Sequence, residues 1–186
     1  MKRFQKILFS CLLCLSINNY VAYGQGIVMI VDKEYSCPDP RIEDSTWTFH
    51  KGDAVHVFPT DNGYDYFGPY TAACVSLPKD LCHLPGSVRG EKCIVVNATK
   101  VRLRQGPSTQ SGIYCIDALQ TGSVSHSQFR PKQGKEVDAD GNVSEWIQFF
   151  FNKGTRLPYL GKFGAFYKSR FNDIEFYISA KHTYLR

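Results

Sequence analysis

The stretch Val101-Arg102-Leu103-Arg104-Gln105-Gly106-Pro107-Ser108-Thr109 constrains the fold more than any other part of this chain. Val101 and Leu103 fall on one side of an extended backbone and Arg102 and Arg104 on the other, the period of a strand with one buried face. Gly106-Pro107-Ser108 then ends the strand, because proline offers no N–H to a neighbour and glycine enters turn conformations freely. A weaker copy of these signals lies earlier, in Tyr35-Ser36-Cys37-Pro38 followed by His50-Lys51-Gly52-Asp53-Ala54-Val55. A strand-and-turn unit that recurs within one chain predicts two small β-domains in tandem.

The remaining periodicity is also that of strands. Gly26–Val31, Asp53–Phe58, Cys93–Val96, Trp146–Phe151 and Ile174–Ile178 are short, β-branched or aromatic, and bounded by Gly, Pro, Asn or Asp. Many short strands separated by turns form a barrel or sandwich. The segment Leu84–Gly90, with a proline and two glycines between strand-like runs, reads as a linker. The expected organisation is a signal peptide over 1–24, a first domain over 25–84, a linker over 85–92 and a second domain over 93–186.

The signal peptide follows from Lys2, Arg3 and Lys6, the apolar run Ile7–Ile17, and the small residues around Gly24, after which cleavage is expected. The apolar run breaks at Asn18-Asn19, short of the ~20 residues a spanning helix needs. The mature chain is therefore expected to be exported, periplasmic or extracellular, with no transmembrane segment. Removing three bases reduces the formal net charge from +5 to about +2, which argues against a nucleic-acid partner. Residues 25–90 carry nine acids and five bases, whereas residues 151–186 carry seven bases and two acids, so the basic surface lies at the C-terminal end.

Cys11 and Cys14 leave with the signal, and Cys37, Cys74, Cys82, Cys93 and Cys115 remain. In an exported chain these can form disulfides, and an odd count leaves at least one thiol unpaired within the molecule. No cysteine pair has zinc-site spacing, and His50, His56, His83, His126 and His182 form no metal motif. Asp138-Ala139-Asp140-Gly141-Asn142 resembles a calcium loop but lacks the later bidentate Glu, and reads as a hairpin turn. No phosphate-cradling glycine loop is present, no cysteine opens a helix that would lower its pKa, and no cofactor is expected. Asn97-Ala98-Thr99 and Asn142-Val143-Ser144 match the short glycosylation acceptor pattern.

Aromatic residues are abundant in two loops, Tyr64, Tyr66, Phe67 and Tyr70 in the first unit and Tyr159, Phe163, Phe166, Tyr167 and Phe171 in the second. Rings fill small cores, which accounts for more than half of them. The others, interleaved with Lys153, Arg156, Lys162, Lys168 and Arg170, suit a groove for a peptide or glycan. The candidate ligand-binding residues are Tyr64, Tyr66, Tyr70, Arg102, Arg104, Tyr159, Phe166, Tyr167 and Arg170.

These residues resemble the bacterial SH3-like domain of secreted and envelope proteins. Val101–Thr109 matches its opening strand and turn, Lys51-Gly52-Asp53-Ala54-Val55 its second element, and Tyr177-Ile178-Ser179-Ala180-Lys181 with Tyr184-Leu185 its close. The resemblance implies two tandem SH3-like β-barrels, with Pro38 matched to Pro107 and Gly52 to Gly122. The second unit is longer by about thirty residues, placed in His126–Ser144 and Asn152–Asn172 by the unequal repeat spacing. The resemblance also implies a non-enzymatic protein that binds a cell-wall peptide or glycan. The alternatives are an adaptor or inhibitor docked on a secreted protein partner, and a wall hydrolase relying on Cys74 or Cys115.

Overall fold

The computed structural model of the chain describes residues 26–39, 43–67, 74–117, 134–137, 139, 141, 143–172 and 174–186. The described residues are all-β, their only helical pieces being two short 3-10 turns. The first unit holds β1 (Ile27–Val31), β2 (Tyr35–Pro38), β3 (Thr46–Phe49), β4 (Ala54–Pro59), β5 (Gly63–Phe67), β6 (Cys74–Pro78), a 3-10 turn at Lys79–Leu81 and β7 (Cys82–His83). Its main sheet runs β6-β5-β4-β1-β7, and β2 and β3 form a separate hairpin.

The second unit holds β8 (Cys93–Val96), β9 (Val101–Arg102), β10 (Cys115–Asp117), β11 (Gly134–Val137), β12 (Val143–Gln148), β13 (Phe150–Phe151), β14 (Arg156–Pro158), β15 (Gly161–Phe163), β16 (Phe166–Phe171), β17 (Ile174–Ser179), a 3-10 turn at Ala180–His182 and β18 (Thr183–Leu185). β8 is flanked by β14 and β18, β16 by β15 and β17, and β13 pairs with β9. The element order repeats that of the first unit. A first strand pairs with a last strand that follows a 3-10 turn: β1 with β7, and β8 with β18.

Hydrogen bonds identify the repeat residue by residue. Gly52 donates its N–H to the Val31 carbonyl at 2.8 Å, and Val31 donates to the Asp53 carbonyl at 2.9 Å. In the second unit Gly154 donates to Val96 at 2.8 Å, and Val96 to Thr155 at 2.9 Å. Both glycines have left-handed φ, 91° and 94°, where a side chain is strained. The counterpart of Gly52 is therefore Gly154, which corrects the match to Gly122; Gly122 lies outside the described residues.

The placement of the added length changes with that correction. Gly52 lies 30 residues before β7 and Gly154 lies 29 before β18, so Asn152–Asn172 carries no insertion. The extra residues fall between β9 and β13, where β10, β12 and β11 form a sheet of their own. β11 and β12 pair as a hairpin with Val137 opposite Val143; of the turn expected at Asp140-Gly141-Asn142, Asp140 and Asn142 lie outside the described residues. The expected strand Trp146–Phe151 divides at Phe149, whose N–H bonds the Tyr114 carbonyl at 3.0 Å as the chain leaves β12 for the pairing with β9.

Two cores result. Met29, Val31, Phe49, Val55, Val57, Val75, Leu77 and Leu81 fill the first. Ile94, Val96, Leu103, Phe151, Leu157, Phe171, Phe176 and Ile178 fill the second, and Val28 and Ala54 of the first unit join it. Alternation sends odd and even residues of a strand to opposite faces. On β1, Met29 and Val31 thus serve one core while Val28 serves the other. This is why Ile27–Val31 is apolar throughout and Ala54–Val57 is buried throughout, rather than alternating.

Candidate functional site

The joint between the units is built on the first half of β4, where Ala54–His56 pair with β1 on one side and lie beyond the end of β5 on the other. Asn172, in the turn between β16 and β17, donates its N–H to the Ala54 carbonyl at 2.7 Å. Its side-chain oxygen accepts the His56 N–H at 2.8 Å. Two residues back, the Arg170 guanidinium donates to the Gly52 carbonyl at 3.1 Å. Strand polar groups that would otherwise be unpaired at a buried edge are satisfied by another module. Asn172 holds φ at 45°, a conformation asparagine tolerates better than most residues.

His56 stands at the centre of this joint, 3% exposed. Its ring lies 5.3 Å from Phe58, 5.6 Å from Phe171 and 6.1 Å from Phe149. Burial lowers its pKa to about 4, against a hydrogen bond to the Gly26 backbone that works the other way. The ring is therefore neutral at pH 7, with Nδ1 lacking a hydrogen-bond partner.

The start of the linker is held by a second histidine. His83 Nδ1 lies 2.6 Å from an Asp32 carboxylate oxygen, and Nε2 lies 3.2 Å from Glu91. Glu91 also accepts the Gly86 N–H at 2.7 Å. Burial pulls the His83 pKa down, but the Glu91 and Asp32 carboxylates outweigh it and the net shift is upward. The expected linker is thus two successive tight turns, Leu84–Ser87 and Val88–Glu91, pinned by one imidazole between two carboxylates.

The candidate ligand residues occupy several settings. Tyr159 and Tyr167 are brought together, ring centroids 5.9 Å apart and near-perpendicular, packed on the second core. Phe166 is buried on β16. Tyr64 and Tyr66 lie on β5 against the first core, Tyr66 meeting Phe49 at 5.1 Å and Trp47 at 5.6 Å. Arg102 is exposed on β9. Arg104 donates to the carbonyls of Thr109 and Ser111 at 2.8 and 3.0 Å, so it shapes its own loop. Arg170 belongs to the joint. Tyr70 lies outside the described residues.

A cleft of about 410 Å³ opens beside the joint, between Gly26–Val28 and Leu84 on one side and Asn152–Arg156 on the other. Among the described residues Lys153 and Arg156 make no ion pair, so they present two cations to it. A second hollow, about 470 Å³, lies over the turn Pro59–Asn62, where the one charged residue is Asp61. Sequence reasoning missed Asn172 and His56; it counted Lys153 and Arg156 among the bases of a groove but missed the turn Asn152–Arg156 that presents them. The recurrence of Lys-Gly at 51–52 and 153–154 was the available signal for the last.

The described thiols are unsuited to nucleophilic work. Cys37, Cys82, Cys93 and Cys115 are free thiols, so the expected disulfides do not involve them. Burial pushes the Cys82 thiol up to about 12 and raises Cys93 and Cys115 as well. A nucleophilic thiol needs the opposite shift. Among the described residues no group of three or more His, Cys, Asp or Glu is placed to hold a metal ion, and no helix is long and apolar enough to cross a membrane. No family model, no curated protein and no solved structure matches this chain.

Proposed function

We propose that this chain is an exported, non-enzymatic binding protein in which two SH3-like barrels act as one body on a cell-envelope ligand, the peptide part of peptidoglycan. The observation that carries the reading is the cleft at the joint, walled by both units and by the unpaired Lys153 and Arg156. Concave sites between packed modules collect ligands, and cations there favour the carboxylates that wall peptides carry. The positively charged N-terminal segment followed by an apolar run supports export. The Tyr159–Tyr167 pair supplies flat apolar area on the same unit.

The test is sedimentation of the purified chain with insoluble peptidoglycan at low and high salt. Retention that weakens with salt and with Lys153→Gln supports the reading; no retention at either salt overturns it. A second reading, docking on a secreted protein partner, is favoured by the exposed apolar side chains Leu160, Phe163, Tyr184 and Leu185. It predicts capture of a protein partner with no affinity for wall material.

A further inference from the structure

We infer that the turn Asn152–Arg156 is a binding site for the free carboxylate of a peptide ligand, the place that the first unit's equivalent turn fills with its own aspartate. The inference deepens the wall-peptide reading, on which it rests for the source of the ligand.

The repeat provides the comparison. In the first copy, His50-Lys51-Gly52-Asp53, the Asp53 carboxylate accepts the His50 N–H at 2.7 Å, and Asp53 N–H bonds the His50 carbonyl at 3.0 Å. The Arg170 guanidinium occupies the Gly52 carbonyl. That turn is self-filled: a carboxylate of the chain sits on its first amide. In the second copy, Asn152-Lys153-Gly154-Thr155, the same backbone closes, with Thr155 N–H on the Asn152 carbonyl at 3.2 Å. The residue in Asp53's place is threonine, whose hydroxyl donates to the Asn152 carbonyl at 2.9 Å. Among the described residues, no carboxylate forms a hydrogen bond or ion pair with Asn152, Lys153, Thr155 or Arg156.

The charge change runs the same way. The first turn has Lys51 and is followed by Ala54; the second has Lys153 and is followed by Arg156 in the position of Ala54. Losing an acid and gaining a guanidinium converts a neutralised turn into a cationic one. A guanidinium and an ammonium beside backbone amides are the groups that recognise a carboxylate. The facing wall is apolar at Ile27, Val28 and Leu84, and the volume of about 410 Å³ lies in the range of small-ligand sites. The ligand is therefore a peptide end with a free carboxylate and a small side chain.

The test is an NMR titration of the purified chain with N-acetyl-Ala-Ala, with its C-terminal amide, and with inorganic phosphate. The free acid is expected to shift the amide signals of Asn152 and Lys153 in a saturable way, and the amide to bind at least about tenfold more weakly. Lys153→Gln and Arg156→Gln should each weaken binding about five- to tenfold. Thr155→Asp, which gives the second turn the first turn's residue, should abolish binding at an unchanged melting temperature. Equal binding of acid and amide, no shift at these amides, or full binding by Thr155→Asp would overturn the site. Phosphate binding without carboxylate binding would overturn the assignment to a peptide end. The dipeptide contains no wall polymer, so a failed sedimentation leaves this site standing, and a failed titration leaves the wall reading standing.

Discussion

The Asn172 side-chain oxygen accepts the His56 amide across 116 residues of sequence, and the Asn172 amide reaches the Ala54 carbonyl two positions away. One residue of a distal turn thus takes the place of a strand beside the half of β4 that β5 leaves uncovered.

Replacing it tests how much the joint depends on it. Asn172→Ala should cost about 2 kcal/mol, from the unsatisfied His56 amide and from alanine in a left-handed conformation. Asn172→Gly keeps the backbone freedom and loses only the side-chain bond, so it should cost about 1 kcal/mol less. Urea unfolding at pH 7 measures both. Equal losses would mean that backbone conformation contributes nothing there.

His56 makes the joint acid-sensitive. Its folded pKa of about 4 lies below the ordinary 6.5, so the unfolded chain binds the extra proton between these values. Stability is whole above pH 6.5 and falls by about 3 kcal/mol as the pH drops toward 4. His56→Leu should flatten this part of the pH profile of denaturant unfolding. A profile unchanged by the substitution would assign the acid sensitivity to other groups.

His83 acts with the opposite sign. Its pKa is raised in the folded chain by Glu91 and Asp32, against burial, so its contribution is whole below pH 6.5 and is lost as the pH rises through the folded value. The His83 ring signal in NMR should titrate above 6.5. His83→Gln should lower the melting temperature more at pH 6 than at pH 9.

Thiol labelling separates the cysteines. Cys37 is half-exposed, whereas Cys82, Cys93 and Cys115 are buried. Maleimide labelling of the native chain at pH 8, mapped by mass spectrometry, should modify Cys37 at least about tenfold faster than the other three. A disulfide found at any of the four would contradict their free state.

The legible parts of the fold were those carried by local pattern. Val101 and Leu103 are buried and Arg102 is exposed, as alternation requires. The Lys51-Gly52 turn was legible because a left-handed glycine before an apolar run is a local signal. Its partner was harder to see, since about thirty inserted residues lie before Gly154 and spacing alone pointed to Gly122. Asn172 reads in the sequence as an ordinary turn former, because its work depends on an edge 116 residues away. Arg170 and Arg104 look like ligand-seeking cations in a linear reading, yet each is committed to backbone carbonyls that only the folded chain brings near.

Because Val28 and Ala54 lie in the second core while their neighbours Met29 and Val55 lie in the first, the two modules cannot be inherited separately. A recombination event that cuts at the linker would release one half with a greasy bare face and another with a hole in its centre. Once the two copies share that core, the piece that can be grafted or traded intact is the pair.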